Sequence, residues 1–333
     1  MVIKLLVFLQ LILVHITYIL AKFFVKPDKY LWVIGVSEVA QNVYRLGRTI
    51  NPSVTVALSR RQPFYNYEYD YELGFISNNF IRLIVRFFYG PILLGYLSNK
   101  ATHFFCISGV GFLVDTEQEY KFLKGKSKKI ACMFVGSDIR SPKLVKEYLI
   151  EHEIDGFIDY QGIQNPEFLT DKFDNKRKDL SRIVDKYADI IFNFKYDQLS
   201  YIKSHTYPWP YLYDKKHFFY NQNKFDKMSK IKILHAPSSP FIKGTPLVRA
   251  AIKKLSLEGY IFEYVELQGA SNNEVLDELR STHIVLNQFY GYDISLGLFA
   301  IEAMASHTAL LMSYEPSLVS DYDIELDGFD SCC

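Results

Sequence analysis

The chain has 333 residues, enough for two domains or one large one, and 49% of them are hydrophobic, ample for a core. Its formal charge of +1 argues against a nucleic-acid binder, which normally carries a basic excess or stripe. Four cysteines, Cys106, Cys132, Cys332 and Cys333, lack CxxC or zinc spacing. Two of them fall in predicted strands and read as buried free thiols, which favours a reducing cytosol over secretion.

The first element is an apolar run. Between Lys4 and Lys22 lie seventeen residues whose clearly polar members are Gln10, His15 and Thr17. As a helix they measure ~25 Å, short of the ~30 Å hydrocarbon core. Adding Val2, Ile3 and Phe23 to Val25, with both lysines snorkelling, makes the run long enough to span. No small-residue cleavage site comes after it, so a removed signal peptide is not expected. Lys22, Lys26 and Lys29 outweigh Lys4, which places the rest of the chain in the cytoplasm. Residues 1–27 are therefore expected to anchor the chain, by spanning the membrane or lying on its surface. The competing reading is a helix packed as ordinary core.

Lys29 to Gly35 reads as a strand, Val36 to Ile50 as a helix, and Ser53 to Ser59 as a second, alternating strand. A polar, aromatic loop runs from Arg60 to Tyr71. Ile76 to Leu97 reads as a helix broken near Pro91. Its Arg82 and Arg86 among aromatic residues suit either a membrane surface or a core helix with two solvated arginines. Ala101 to Ser108 and Lys128 to Gly136 are expected strands. Helical patterns at Lys143 to Glu153 and Asp179 to Tyr187 precede a strand at Ala188 to Phe194.

Tyr207 to Lys230 is aromatic, lysine-rich and irregular, and reads as an interdomain linker. Alternation then restarts: a strand at Ile231 to His235, a helix from Thr245, and a strand at Tyr260 to Leu267. Next come a helix at Asn273 to Arg280, a strand at His283 to Leu286, a helix from Leu296 and a strand at Ala309 to Ser313. Such alternation predicts an α/β fold of two doubly wound domains, 28–206 and 231–333, joined by 207–230.

Two positions carry chemistry in the second half. The loop Ala236-Pro237-Ser238-Ser239-Pro240 leads through Lys243-Gly244-Thr245 into a helix N-terminus, whose free N–H groups and dipole favour anions. A lysine there opposes the dipole unless an anion separates the two. The alternative is a solvated lysine beside a turn glycine. Glu302 sits in a helix that is apolar nearly all round, where a carboxylate needs partners. Ribose 2′- and 3′-hydroxyls would supply two donors for its two oxygens, and a nearby basic residue would serve equally.

These residues carry a resemblance. "HAPS…KGT…A…L…EGY" from His235 to Tyr260, followed by "LGLFAIEAMA" from Leu296 to Ala305, resembles the retaining glycosyltransferases of GT-B fold known as group 1 or family 4. "GSDIR" from Gly136 to Arg140 is similar to a strand end in the polysaccharide-biosynthesis members. The resemblance covers Ile231 to Ser313 well, Lys121 to Phe194 moderately, and little before Ser108. It implies two Rossmann-like domains, the second binding a nucleotide-diphosphate sugar as co-substrate and the first an acceptor that is lipid-linked or a polysaccharide. By that resemblance Ser238, Lys243, Gly244, Thr245, Gly297 and Glu302 form the donor site, with Lys243 on the diphosphate and Glu302 on the ribose. Asp138, Arg140 and Asp293 are the candidate catalytic residues, Asp138 and Arg140 as contacts to the acceptor or the transferring sugar and Asp293 as a partial substitute for a family glutamate, without metal or other cofactor.

Departures from the family pattern are specific. Its first glutamate of a pair eight residues apart is Ile294 here, with Asp293 adjacent, and its arginine six residues before the lysine is Pro237. The chain also ends soon after the expected fourth strand of the second domain, so a truncated donor domain is expected. For Asp138 the competing reading is turn chemistry, the carboxylate capping its own backbone. Asp321-Tyr322-Asp323 has a metal-binding form but reads as a solvated acidic loop. A catalytically impaired or non-catalytic GT-B protein, binding a saccharide, nucleotide sugar or protein partner, is the rival expectation.

Overall fold

The computed structural model describes residues 2–59, 67–153, 157–193, 198–208, 212–213, 221, 223–226, 230–289 and 297–313. It is α/β, with a six-stranded and a four-stranded sheet whose strands pair in parallel. The chain divides into two compact units, residues 1–141 with 175–212, and residues 142–174 with 213–333. Residues 142–174, grouped by the sequence reading with the first domain, thus fall in the second unit. The expected linker divides between Leu212 and Tyr213.

The first unit's sheet has the order β3-β2-β1-β4-β5-β6. Its strands are β1 (Trp32–Val36), β2 (Ser53–Ala57), β3 (Tyr71–Glu72), β4 (His103–Ile107), β5 (Lys129–Met133) and β6 (Ile190–Phe192). Central strands such as His-Phe-Phe-Cys-Ile are nearly continuous apolar runs because helices cover both faces. Successive residues therefore enter different cores: Val33, Phe104 and Cys132 join one, and Ile34, Phe105 and Met133 the other. The first core is closed by helices α1 (Val2–Ala21), α3 (Asn79–Lys100), α4 (Thr116–Gly125) and α7 (Asp171–Tyr187), and the second by α2 (Asn42–Thr49). Cys106 and Cys132 stand opposite one another in the β4–β5 register, both buried and both free thiols.

Helices α4 and α6 (Phe157–Gln164) are absent from the sequence expectation, α7 starts eight residues before the expected Asp179, and two further differences have a visible cause. Helix α2 starts six residues late because Ala40 and Gln41 take left-handed backbone angles (φ 52° and 68°). The buried Glu38 carboxylate reaches over that turn and accepts from Val43 N and Tyr44 N at 3.4 and 3.1 Å, capping the helix from the wrong side of the expected start. Helix α3 starts cleanly where Asn78 Oδ1 accepts from Phe80 N and Ile81 N, then runs unbroken through Pro91. Proline cannot donate to the carbonyl four residues back, that of Phe87. Gln10 of α1 donates to this carbonyl instead, at 2.9 Å, while its own Oε1 accepts from Val114 N at 2.9 Å.

Gln10 is 1% exposed, so both bonds are made by a buried amide. Helix α1 runs parallel to α3: Gln10 meets Phe87, and Asn99 Nδ2 donates to Tyr18 O at 2.8 Å. Between them Gly95 permits backbone approach, since a Cβ there would lie 2.7 Å from Val14 O and 2.9 Å from Thr17 Cβ.

Two effects of this packing are measurable. Gln10→Ala removes the partners of the Phe87 carbonyl and the Val114 N–H, and should lower stability by about 1–3 kcal/mol in urea unfolding. Glu119, fully buried on α4 and accepting from Leu113 N at 2.8 Å, has its pKa pushed by burial from 4.5 to about 7. Between those values the native carboxyl still holds a proton that the unfolded chain has lost, so stability falls as pH rises through the window. Glu119→Gln should remove up to about 3 kcal/mol of that fall, read as denaturation midpoints from pH 4.5 to pH 8.

Candidate functional site

The second unit's strands are β7 (Ile231–His235), β8 (Phe262–Glu266), β9 (Ile284–Leu286) and β10 (Ala309–Leu311), in the order β10-β9-β7-β8. From β7 the chain winds to one side through helix α8 (Thr245–Leu257) to β8. It then returns through α9 (Asn272–Leu279) to β9 on the other side, and α10 (Gly297–Ala305) leads to β10. The winding reverses between β7 and β9. In open parallel sheets a crevice opens at such a reversal, beyond the carboxyl ends of the strands.

The segments following β7 and β9 meet there through three contacts. His235, fully buried at the end of β7, has its pKa lowered by burial, so the ring is neutral. Its Nδ1–H donates to Leu286 O at 2.7 Å, because a carbonyl can only accept. That leaves Nε2 to accept from the Thr245 hydroxyl at 2.8 Å. The Lys243 ammonium donates to Gln288 Oε1 just after β9. Gly244, with φ 75°, packs under Phe289, whose Cβ would lie 3.1 Å from a Cβ added at Gly244.

Lys243, Gly244 and Thr245 are thus brought together at the reversal point, with different roles. Thr245 is buried and its hydroxyl proton is committed to His235. The amide N–H groups of Lys243, Gly244 and Thr245 donate to Ser239 O, Phe241 O and Pro240 O at 3.0, 3.2 and 2.9 Å. Here the loop's amides hold its own turn, and Lys243 is its cationic side chain. Ser238 is exposed, while the neighbouring Ser239 hydroxyl donates to Gln164 of helix α6 (Phe157–Gln164) at 3.4 Å. That bond ties residues 142–174 to this loop.

Glu302 lies within α10 and is 4% exposed, as its apolar helix required. Its Oε1 accepts from Asn272 Nδ2 at 2.9 Å and from the Tyr213 hydroxyl at 3.3 Å. Both donors are neutral. Asn272 opens α9, itself fixed by a capping box between Ser271 and Glu274. Gly297 starts α10 with φ 65°. Asp293 lies outside the described residues.

Asp138 and Arg140 belong to the first unit. The Asp138 carboxylate accepts from Val135 N and Gly136 N at 3.1 and 2.9 Å, closing its own turn after β5, and Arg140 is buried. The turn-chemistry alternative therefore describes Asp138's hydrogen bonds. Sequence reasoning gave no role to His235, Gln288, Asn272 or Tyr213. Only His235 left a signal, as a polar residue ending an apolar strand. The others are joined through space across 30 to 89 positions.

No protein-family model matches the chain, and no curated protein matches it in sequence.

Thr245→Val leaves His235 Nε2 buried without its donor and should cost about 1–3 kcal/mol in urea unfolding. Thr245→Ser, which keeps the hydroxyl, should lose less than half as much.

Proposed function

We propose that the second unit binds a nucleotide-diphosphate sugar and that the chain is a retaining, metal-independent glycosyltransferase of the GT-B kind. It would serve a lipid-linked or polysaccharide acceptor in cell-surface glycan synthesis, at the cytoplasmic face of a membrane. The observation that carries this reading is the pairing of Lys243 and Gln288 across the reversal between β7 and β9, where parallel sheets take ligands. The ammonium is held at the loop tip by a neutral amide, and a diphosphate can displace that amide without breaking an ion pair. In this conformation the loop amides bond within their own turn, so the first attraction for the anion is the Lys243 side chain.

In the proposed reaction Lys243 stabilises the negative charge that grows on the departing diphosphate, an electrostatic role. Glu302, held by two neutral hydrogen-bond donors, accepts from ribose hydroxyls after Asn272 or Tyr213 yields its place. Donor and acceptor are then positioned for transfer with water excluded. Ile294 and Pro237, standing where the resembling family carries an acid and an arginine, favour a second reading: a GT-B protein that binds the nucleotide sugar without turning it over.

Calorimetric titration with UDP, GDP and their hexose conjugates tests both readings. Lys243→Ala should weaken diphosphate binding about 10- to 100-fold, the loss of one charge-assisted bond. Glu302→Gln should weaken nucleosides and nucleotides alike. Unchanged affinity in both variants, or no binding of any nucleotide sugar, contradicts the donor site. Tight binding with no sugar transfer to a membrane extract selects the non-catalytic reading.

A further inference from the structure

Helix α1 is apolar on its outer side as well as where it packs, with Leu11, Val14 and Tyr18 at the core and His15 the polar residue between Lys4 and Lys22 that stays exposed. The side that packs on the first unit carries Gln10 and Thr17 along with Val14 and Ala21. The opposite side exposes Leu5, Phe8, Ile12, Ile16, Ile19 and Leu20 at helical spacing. A water-facing helix carries polar residues on that outer side. The part of α3 up to Ile92 continues the pattern with exposed Phe80, Ile84, Phe88 and Ile92, while after it Leu93, Leu94 and Leu97 are buried in the core. Because the helices are parallel neighbours, with Gln10 on Phe87, the exposed residues from Leu5 onward run beside those from Phe80 onward. Exposed apolar areas of this extent mark interaction surfaces.

We propose that α1 and α3 together form a monotopic docking face that sits in one leaflet of an anionic bilayer, with neither helix crossing it. Both helices have the length and hydropathy of a span, Lys4–Ala21 and Asn79–Lys100. Chain reach excludes a crossing by α3. Leu73 N is bonded to Ala57 O at the sheet edge, and the six residues 73–78 before the helix extend at most about 20 Å. The hydrocarbon core is about 30 Å thick. The other end of α3 meets β4 after two residues, so both ends stay with one sheet. Helix α1 is bound to α3 by Gln10 and Asn99, and Asp28 N donates to Lys100 O at 2.8 Å beyond its end. It therefore lies where α3 lies.

Charge selects the occupant. Lys4, Lys22, Lys26 and Lys29 flank α1, with Asp28 the only acid before Tyr30, and residues 75–100 hold Arg82, Arg86 and Lys100 with no acid. Lys22 rests over the Tyr18 ring at 5.0 Å, and Phe23 and Phe24 beside it are 77% and 87% exposed. Aromatic side chains alternating with lysines suit the headgroup level of an anionic leaflet, and a second copy of the same basic face would be repelled. The proposal deepens the membrane-associated part of the function proposed above, and it rests on residues remote in sequence from the donor loop.

The test is sedimentation of the full chain with vesicles of phosphatidylcholine and phosphatidylglycerol at 3:1, compared with phosphatidylcholine alone. Binding should be at least tenfold stronger to the anionic vesicles and should weaken with added NaCl. Leu9→Glu with Ile16→Glu, both outward-facing, should lower it at least tenfold and leave the nucleotide titration as in the parent chain. Equal binding by that variant overturns the proposal, as does a stable oligomer in light scattering that hides the face and ignores vesicles. For the geometry, Lys4→Cys and Lys26→Cys in a chain carrying Cys332→Ser and Cys333→Ser should react equally with an impermeant maleimide added outside the vesicles. Protection of the Lys4→Cys chain alone means a crossing helix and overturns the in-plane placement. Failure of nucleotide binding with vesicle binding intact leaves this proposal standing and removes the donor site.

Discussion

The first unit is organised around the carbonyl of Phe87. Pro91 strips it of its helical partner, a vacancy of the kind that bends or breaks helices. Gln10 fills it from outside the helix and uses its other amide atom on Val114 N, so one side chain joins α1, α3 and the loop after β4. The Gln10 amide of α1 is thereby committed inward, to a vacancy made by Pro91, far downstream in α3.

The second unit depends on a different kind of constraint. A parallel sheet that winds out from its founding strand and then back must leave two neighbouring strand ends whose following segments diverge. Between β7 and β9 that gap is bridged by the neutral His235 ring and by Lys243 on Gln288. The imidazole ties the base of the loop to β9 and the Lys243 side chain ties its tip to Gln288. Glu302 reaches two side chains from other segments, which fixes its position without an opposing charge among those two.

The order of elements was legible because parallel, two-sided strands are short apolar runs and the helices between them are amphipathic. The expected strand Ser53 to Ser59 forms as Ser53–Ala57, Ile231 to His235 has the expected bounds, and Thr245 starts a helix as Lys-Gly-Thr suggests. What escaped was decided by distant partners. Helix α2 begins late because Glu38 turns back on it, and α3 survives Pro91 because of Gln10. Strand β3 is two residues long and exists only beside β2. The site was half legible: Lys243 and Glu302 carry local peculiarities of charge in apolar settings. Gln288, Asn272 and Tyr213 are ordinary residues locally, and only folding gives them roles.

Lys224 lies in the stretch that resembled a tether. Its buried ammonium donates to Leu279 O, Ser306 O and the Thr308 hydroxyl at 2.9, 2.7 and 2.8 Å, with its pKa brought down to about 8 by burial. Leu279 ends α9 and Ser306 comes just after α10, so one cation closes the electronegative ends of two helices. The opposite end of α9 presents Asn272 to Glu302. A fragment of the second unit trimmed to begin at Ile231 would thus start at an obvious strand and still lack its own keystone, with the C-terminal ends of both helices left open.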